Sequence, residues 1–293
     1  MKEIVIISGK GGTGKTSVSA SFAVLGGKDV IVADCDVDAA DMHLLLKPDY
    51  EISEEFYSGE LAIIKQEDCI KCGKCKDVCR FGAINIIENK YITDPLSCEG
   101  CGYCARVCPT ETIINIDLNV GNWYISNIRT GSKMVHAKLA TGADNSGKLV
   151  AQVKNKAKEL AEKMNKKYIV VDGSPGVGCP VVSSLSGASY VVLVTEPTVS
   201  GLHDLKRVYE LVKKFNLRAG CIINKYDLNI SVTREIEKFS EKEQIDKLAK
   251  IPYDKSFTEA VIQKLTVAET DNKIKPLLQK TWENIKNKIN ETN

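Results

Sequence analysis

The sequence predicts a doubly wound α/β fold with a mostly parallel sheet, interrupted by a small cysteine-rich insert. Short apolar runs rich in β-branched residues alternate along most of the chain with segments of helical periodicity. A glycine-rich loop directly follows the first of these runs, and a predicted helix of small residues follows the loop. Between residues 61 and 118 the alternation stops, and eight of the eleven cysteines lie in that segment.

The predicted strands are short apolar runs, as expected for strands that are buried on both faces of a parallel sheet. In chain order they are EIVIIS from Glu3, DVIVAD from Asp29, YIVVDG from Tyr168, SYVVLVTEP from Ser189 and RAGCIINKYD from Arg218. A helix is predicted from about Thr16 to Leu25, ended by a glycine pair. The later stretch GLHDLKRVYELVKKF carries apolar residues at helical spacing, so a second helix is predicted there.

The bulk composition is that of an ordinary globular protein, with 43% hydrophobic and 27% charged residues. A net charge of +2 provides no general attraction for nucleic acid or anionic lipid, so we expect neither as a partner. No apolar run is long enough to span a membrane, and the N-terminus does not resemble a secretory signal. We therefore expect a cytoplasmic protein without stable membrane insertion, whose clustered cysteines bind metal rather than form disulfides.

The cysteine-rich segment contains an internal repeat. CIKCGKCKDVCRFGAI and CEGCGYCARVCPTETI share their cysteine spacing and their apolar tails, which indicates two equivalent halves. We predict a small inserted α+β domain at residues 61–118, within a discontinuous α/β domain of residues 1–60 and 119–293. Residues 121–147 are polar and glycine-rich, and we expect hairpins and loops there.

The glycine-rich loop matches the phosphate-loop pattern G-x-x-x-x-G-K-[ST]. Its glycines let backbone N–H groups face an anion, and the following helix adds the positive end of its dipole. We expect Lys15 to reach the β- and γ-phosphates of a nucleotide and the Thr16 hydroxyl to bind Mg²⁺. The residues predicted to bind nucleotide here are Gly9, Lys10, Gly11, Gly12, Thr13, Gly14, Lys15, Thr16 and Ser17.

The stretch KGGTGKT resembles the deviant phosphate loop of the MinD/ParA family, which includes the nitrogenase iron protein and the Mrp-type cluster carriers. The resemblance implies a P-loop ATPase that binds ATP or ADP with Mg²⁺. In that family an additional lysine reaches across a dimer interface, and Lys10 occupies its position. The resemblance thus implies that Lys10 acts on a partner chain's phosphates, as an arginine finger does. That chain would belong to an ATP-dependent homodimer or a heterodimer with a related ATPase; a solvated loop lysine is the alternative.

Two further aspartates match the switch segments of that family. Asp36, in VADCDVD, matches the aspartate that positions the attacking water, and with Thr16 it is a predicted Mg²⁺ ligand. A solvated acidic loop is the alternative, and three nearby carboxylates could replace it, Asp34, Asp38 and Asp41. In DGSPG, Asp172 would hold Mg²⁺ through water and Gly176 would sense the γ-phosphate. The resemblance therefore implies a catalytic set of Lys10, Lys15, Asp36 and Asp172.

The resemblance also implies contacts with the adenine base. Asn224, in INKYD, matches the asparagine that recognises the adenine edge, and Pro252, Tyr253 and Asp254 lie where the family packs backbone against the base. An Asn-Lys pair near a strand end also starts ordinary turns, so that interpretation stays open.

The repeated spacing C-x₂-C-x₂-C-x₃-C is that of bacterial two-cluster ferredoxins, in which the fourth cysteine of each run binds the other run's cluster. The spacing predicts two 4Fe–4S clusters in a ferredoxin-like insert. One would take Cys69, Cys72, Cys75 and Cys108, and the other Cys98, Cys101, Cys104 and Cys79. Zinc is the competing metal, but it gains nothing from a crossed repeat. Pro109 follows the fourth cysteine of the second run, whereas Arg80 takes that place in the first.

Together these features predict an ATPase in which nucleotide-driven dimer closure gates electron transfer through two clusters to a redox partner protein. An iron–sulfur carrier or assembly scaffold is the alternative, although the C-terminal C-x-x-C usual in such carriers is absent. A spatial organiser of the partitioning type is a third class, disfavoured by the balanced charge.

Cys179 is a candidate ligand of a bridging cluster, but a packed thiol is the simpler expectation. The C-terminal face Leu278, Trp282, Ile285 and Ile289 is expected to pack on the core rather than on a membrane.

Overall fold

The computed structural model describes residues 1–143 and 145–291. The chain forms two compact units. The first contains residues 1–54, 123–138 and 146–293, and the second contains residues 55–122 and 139–145.

Most of the strands belong to one sheet of nine, with the order β11-β10-β9-β1-β8-β2-β7-β6-β3. The strands of that sheet are β1 (Lys2–Ser8), β2 (Val30–Asp34), β3 (Ile52–Ile64), β6 (Ile113–Asn127), β7 (Lys133–Leu139), β8 (Tyr168–Pro175), β9 (Tyr190–Thr195), β10 (Ala219–Asn224) and β11 (Asp246–Ile251). From β11 to β7, neighbouring strands run parallel to each other. The predicted mostly parallel α/β sheet is therefore confirmed.

The described residues contain ten α-helices. They are α1 (Lys15–Gly26), α2 (Met42–Leu46), α3 (Lys74–Val78), α4 (Tyr103–Val107), α5 (Ser146–Lys163), α6 (Cys179–Leu185), α7 (Val199–Lys214), α8 (Ile230–Lys242), α9 (Ser256–Ile262) and α10 (Lys275–Asn290). Two of them, α1 and α7, coincide with the helices expected from small-residue and apolar spacing. Among the described residues, none of the helices has both the length and the apolar character that a membrane crossing requires.

The core of the first unit lies between the sheet and the helices that pack on it. Strand residues such as Ile4, Val170 and Val192 are fully buried, as expected for strands covered on both faces. On one face, the rings of Phe22 on α1 and Trp282 on α10 stack with centres 5.5 Å apart. The apolar face expected for the C-terminal helix is buried in this core, Leu278, Trp282, Ile285 and Ile289.

The second unit contains a hairpin of β4 (Ile84–Ile87) and β5 (Lys90–Thr93) and the short helices α3 and α4. Glu88 and Asn89 form the hairpin loop with φ values of 48° and 59°, the left-handed values that a two-residue hairpin turn requires. A small apolar core is formed by Ala62, Ile64, Cys75, Ile84 and Ile113, with six further cysteine and alanine side chains and Tyr91 packed against it.

Residues 121–147, apart from residue 144, which lies outside the described residues, include the expected hairpin, because β6 and β7 are neighbours in the sheet, and also the start of a helix, which was not expected. They contain the end of β6, a turn, the whole of β7 and the start of α5. The turn is closed by bonds from the backbone N–H of Ile128 to the Ser132 carbonyl and from the N–H of Gly131 to the Ile128 carbonyl. β7 pairs in parallel with β2, so part of this polar segment belongs to the main sheet.

Candidate functional site

The glycine-rich loop between β1 and α1 has a backbone that only glycine adopts easily. Gly12 and Gly14 take φ values of 79° and 88°. A β-carbon at Gly9 would lie 2.4 Å from the backbone of Asp204, and one at Gly14 would lie 2.4 Å from Nδ2 of Asn224. The glycines therefore allow the loop to pass close to α7 and to the end of β10.

The predicted phosphate lysine lies in a buried cluster with both switch aspartates. Lys15 Nζ donates to Asp172 Oδ1 at 2.9 Å and to Asp36 Oδ2 at 3.2 Å. The hydroxyls of Thr16 and Ser19 each donate to Asp172 at 2.8 Å. Residues assigned by sequence reasoning to phosphate and Mg²⁺ thus meet at one place, where the carboxyl ends of β2 and β8 approach the start of α1.

Burial and the neighbouring charges shift the pKa values of this cluster in opposite directions. Desolvation lowers the pKa of Lys15, but the nearby carboxylates of Asp172 and Asp36 raise it more, so the pKa lies above its usual value. Desolvation raises the pKa of Asp36, and the attraction of Lys15 offsets only part of that rise. Lys15 is therefore a cation that neutralises buried carboxylates, and a bound phosphate must compete with them.

Of Asp34, Asp36, Asp38 and Asp41, Asp36 is the one whose side chain bonds to Lys15 among the described residues, and its switch role stays a prediction. Asp34 is buried, its Oδ1 accepts the backbone N–H of Asp36 at 3.2 Å, and its Oδ2 has no hydrogen-bond partner among the described residues. Burial and the charge of Asp172 place the pKa of Asp34 well above its usual range. In the part of the chain that the structure describes, no hydrogen bond joins Asp38 or Asp41 to Lys15.

Hydrogen bonds to backbone carbonyls join the two predicted switch segments to each other and to β1. The N–H of Cys35 donates to the carbonyl of Asp172 at 2.8 Å, and the Ser174 hydroxyl donates to the carbonyl of Cys35 at 2.7 Å. Gly176 has a φ of 91°, and its N–H donates to the carbonyl of Ser8 at 2.9 Å. In this conformation the N–H of Gly176 is bonded within the chain, so sensing a γ-phosphate requires it to exchange partners.

Lys10, at the entrance of the loop, is held by its own chain. Its Nζ lies 2.8 Å from Oε1 of Glu196 and donates to the hydroxyls of Thr198 at 3.1 Å and Ser200 at 3.0 Å. Thr198 is also the N-cap of α7, where its hydroxyl accepts the N–H of Gly201. The trans-acting role of Lys10 stays a prediction, and in this conformation its partners are the residues between β9 and α7.

The predicted adenine contacts lie at the ends of β10 and β11. Asn224 is buried, and its amide donates to the carbonyl of Thr13 at 2.8 Å and accepts the N–H of Lys225 at 3.0 Å. Tyr253 is exposed, and its N–H donates to Asp227 Oδ1 at 2.6 Å. Asn224 therefore supports the phosphate loop from behind, and its adenine role stays a prediction, as do those of Pro252, Tyr253 and Asp254.

The eight clustered cysteines line two separate cavities in the second unit. Each run begins with a loop, turns at a glycine with left-handed φ, Gly73 or Gly102, and continues into α3 or α4. One cavity is lined by Cys69, Cys72, Cys75 and Cys108, and the other by Cys98, Cys101, Cys104 and Cys79. The fourth cysteine of each run thus faces the cavity of the other run, which is the crossed combination expected from the spacing.

The thiols themselves do not converge on a single point. All eight are free, and the described residues contain no group of three or more His, Cys, Asp or Glu side chains close enough to hold one metal ion. Burial raises the pKa of Cys75 and of Cys104. Burial acts in the same direction at Cys108, but hydrogen bonds from Thr112 and Thr110 outweigh it and lower its pKa to about 7.

The remaining three cysteines lie apart from that group. Cys221 lies inside β10, and burial raises its pKa to about 12, in agreement with the expected core position. Cys35 is buried directly after β2, and burial places its pKa well above the usual value. Cys179 is exposed at the start of α6, so the expectation that it is a packed thiol is wrong.

Sequence reasoning missed several polar residues at the site. Ser19 lies one helical turn after Lys15 on α1, and its spacing could have indicated that it faces the same buried cluster. Glu196 and Lys225 follow β9 and β10 directly, at the carboxyl edge where parallel sheets hold ligands. Their contact with Lys10 and the phosphate loop depends on strand order, which no local pattern contains.

The fold and this constellation of loop, lysine and switch aspartates define a P-loop nucleotide-binding protein. The model of the CobQ/CobB/MinD/ParA nucleotide binding domain matches residues 4–267, and the chain belongs to this family of nucleotide-binding ATPases.

Individual proteins are similar to the chain over nearly its whole length. The uncharacterized proteins MJ0578 and MJ0579 of Methanocaldococcus jannaschii are 32% and 29% identical to it. These alignments cover 97% of this chain and 96% of MJ0578, and 88% of this chain and 90% of MJ0579. The structure of the septum site-determining protein MinD of Pyrococcus horikoshii, complexed with Mg-ADP, is 21% identical with a TM-score of 0.58 and covers 97% of this chain and 95% of that one. That likeness concerns the fold.

Proposed function

We propose that this protein is an ATPase in which nucleotide-dependent pairing of two chains gates electron delivery through two 4Fe–4S clusters to a redox partner protein. The nucleotide would bind at the phosphate loop of the first unit. The clusters would bind in a ferredoxin-like insert at residues 61–118, a range that lies within the second compact unit.

The observation that carries this proposal is the composition of the two cysteine-lined cavities. Each contains three closely spaced cysteines of one run and the fourth cysteine of the other run. A zinc site closes with four ligands and requires no exchange of cysteines between two equivalent runs. The crossed pattern is the ligand arrangement of bacterial two-cluster ferredoxins. When bound, the two clusters would supply one-electron redox chemistry.

On the nucleotide side, the residues of the buried cluster would exchange their present partners for the nucleotide. Lys15 would leave Asp36 and Asp172 for the β- and γ-phosphates, and Thr16 and Asp36 would be available to Mg²⁺. Asp172, which accepts from three side chains in the present conformation, would be free to hold a metal-bound water. Asp36 would then orient the attacking water, and Lys10 of one chain would stabilise the charge on the other chain's phosphates.

Anaerobic iron and sulfide analysis of the purified chain tests the cluster half of the proposal. We expect about eight irons and eight sulfides per chain, as for two cubane clusters. Cys221→Ser is a matched control, because Cys221 is a buried cysteine in β10, outside both cavities, and its replacement should not alter the iron content. A metal content near two per chain, or zinc in place of iron, would contradict the ferredoxin assignment.

A second candidate function is a cluster carrier, and the exposure of Cys72 and Cys101 favours it. Each of these two residues lines one cavity and is open to solvent. At an exposed ligand an acceptor's thiol could reach the iron, where its sulfur would bond as the bond to the donor cysteine breaks and the proton passes to the released cysteine. Incubation of the iron-loaded chain with an apo-ferredoxin distinguishes the two functions. A carrier transfers iron and sulfide within minutes, whereas an electron-delivery protein retains both clusters.

A further inference from the structure

Glu196 joins two lysines on opposite sides of the phosphate loop. Its Oε1 lies 2.8 Å from Nζ of Lys10, and its Oε2 lies 3.1 Å from Nζ of Lys225. Lys225 also donates to the carbonyl of Gly12 at 3.3 Å. The carboxylate therefore connects the entrance of the loop with the end of β10.

Lys10 has no donor left for another ligand in this arrangement. An ammonium group has three N–H donors. Three acceptors surround Nζ at hydrogen-bond distance, Glu196 at 2.8 Å, Ser200 at 3.0 Å and Thr198 at 3.1 Å. A phosphate of a second chain could bind this lysine only after at least one of these acceptors has been displaced.

The ion pair is partly buried, so its charges are incompletely screened. The side chains of Lys10 and Glu196 are 28% and 16% exposed. Burial alone would raise the pKa of Glu196, but the bonds from Lys10 and Lys225 outweigh it and lower the pKa below its usual value. Glu196 is thus an anion at neutral pH, and it offers Lys10 within the chain the kind of partner that a phosphate offers between chains.

We propose that Glu196 is a latch that holds Lys10 in its own chain and opposes the pairing of two chains until nucleotide is bound. This inference rests on the proposed action of Lys10 across a dimer interface. Glu196 acts through Lys10 and is therefore a positioning residue. Release of the latch exchanges an intrachain carboxylate for an interchain phosphate, so a weaker latch favours the dimer by the free energy that the intrachain pair contributes.

The test is the dimer dissociation constant of the full, iron-loaded chain, measured by sedimentation with Mg²⁺ and a non-hydrolysable ATP analogue. Glu196→Gln removes the charge and keeps the side-chain shape. We expect it to dimerise about nine- to twenty-five-fold more tightly than the wild type, because both chains lose the pair and each partly exposed ion pair contributes about three- to five-fold. Glu243→Gln makes the same charge change at an ion pair with Lys213 on α7, and it should dimerise as the wild type does. Equal or weaker dimerisation of Glu196→Gln would overturn the proposal.

Lysine variants separate the two lysines that Glu196 holds. Lys225→Gln leaves the bond between Glu196 and Lys10 in place, so it should not tighten the dimer. If Lys225→Gln tightens the dimer as much as Glu196→Gln does, the tighter dimerisation arises from the release of Lys225. That result would overturn the latch on Lys10. In a Lys10→Ala background the Glu196→Gln change should give no gain, because the residue that it releases is gone.

The same series separates failure of the latch from failure of the proposed function. If Lys10→Ala dimerises like the wild type, both the trans role of Lys10 and the latch are wrong. If Lys10→Ala fails to dimerise but Glu196→Gln is unchanged, only the latch is wrong.

Ser200→Ala, which removes another acceptor of Lys10, is a second variant that should tighten the dimer by a smaller factor. Acetylation of Lys10 in the nucleotide-free chain, followed by mass spectrometry, should be faster in Glu196→Gln, and an unchanged rate would count against the latch.

Discussion

The ammonium group of Lys15 lies 2.9 Å from Oδ1 of Asp172, so the phosphate-loop lysine and the predicted second-switch aspartate are bonded directly to each other. Both side chains are almost completely buried, with exposures of 6% and 1%. The lysine is therefore a structural counter-ion in this conformation as well as a candidate phosphate ligand. Nucleotide binding would break this pair and release the switch aspartate at the same time, which links the occupancy of the site to the switch segment.

Replacement of this lysine should affect both binding and stability. Lys15→Ala leaves the buried carboxylates of Asp36 and Asp172 without a cation, and we expect the nucleotide-free chain to lose about 3 kcal/mol of unfolding free energy. We also expect nucleotide affinity to fall at least a hundredfold, as measured with a fluorescent ATP analogue, because about 3 kcal/mol of charge-assisted bonding is lost. Lys10→Ala should retain affinity, and wild-type affinity in Lys15→Ala would contradict this account of the loop.

Single cysteine replacements test the crossed ligation. Cys108→Ser should perturb the cluster held by Cys69, Cys72 and Cys75, whereas Cys79→Ser should perturb the other cluster, since each lines the opposite run's cavity. Electron paramagnetic resonance of the reduced protein should show two cluster signals. Cys108→Ser should alter one of these signals, and Cys79→Ser should alter the other. Cys179→Ser, outside both cavities, should leave iron content and spectra unchanged. Loss of a distinct signal in Cys179→Ser would instead indicate a bridging cluster.

Acid should destabilise the first unit through His136, which is 4% exposed and bonded to the Ser126 hydroxyl at 2.8 Å. Desolvation, with a smaller effect of His43, lowers the pKa of His136 from 6.5 to about 4. The unfolded chain takes up this proton near pH 6.5 and the folded chain only near pH 4, so the stabilisation is complete above pH 6.5 and is lost as the pH falls toward 4.

Urea unfolding at pH 7 and pH 5 measures this effect. By linkage, His136 should account for about 2 kcal/mol of the stability lost between these two values. The His136→Gln variant cannot titrate at this position. Between pH 7 and pH 5 its unfolding free energy should therefore fall by about 2 kcal/mol less than that of the wild type. An identical loss in the wild type and the variant would show that other groups cause the acid sensitivity.

The C-terminal helix should be essential to the core of the first unit. Trp282 is buried, stacks on Phe22 with ring centres 5.5 Å apart, and contacts the edge of Tyr168 at 5.7 Å. Trp282→Ala should lower the unfolding free energy by about 3–5 kcal/mol, because it opens a large cavity. Val199→Ala, at a position that is 81% exposed, should change it by less than about 0.5 kcal/mol. A small effect of Trp282→Ala would contradict the packing of this helix on the core.

The central strands could be predicted because the burial of each strand is evident from its own residues. β1, β2, β8, β9 and β10 are covered on both faces, so each is a continuous apolar run that no other element resembles. By contrast, β3 and β11 are the outermost strands of the sheet and have charged side chains along them. Their mixed composition does not differ from that of a loop, and sequence reasoning missed both.

The site could likewise be predicted only where its residues are adjacent in the sequence. The phosphate loop could be located because its glycines, its lysine and its helix are adjacent in the chain. The bonds of Lys10 to Glu196 and of Lys15 to Asp172 join residues far apart in the sequence, and they arise because β1 lies between β9 and β8. The pairing of Cys108 with the first cysteine run was inferred from spacing, and the lining of the cavities supports it.

The most direct test of the central claim is a redox titration of the anaerobically purified, iron-loaded chain with and without Mg²⁺ and ATP. If pairing of two chains gates electron delivery, closure changes the surroundings of the clusters and therefore their potential. We expect nucleotide to shift at least one midpoint potential by about 60 mV, a tenfold change in a one-electron equilibrium. The shift should be absent in Lys15→Ala. Midpoint potentials that are identical with and without ATP in the wild type would contradict the account.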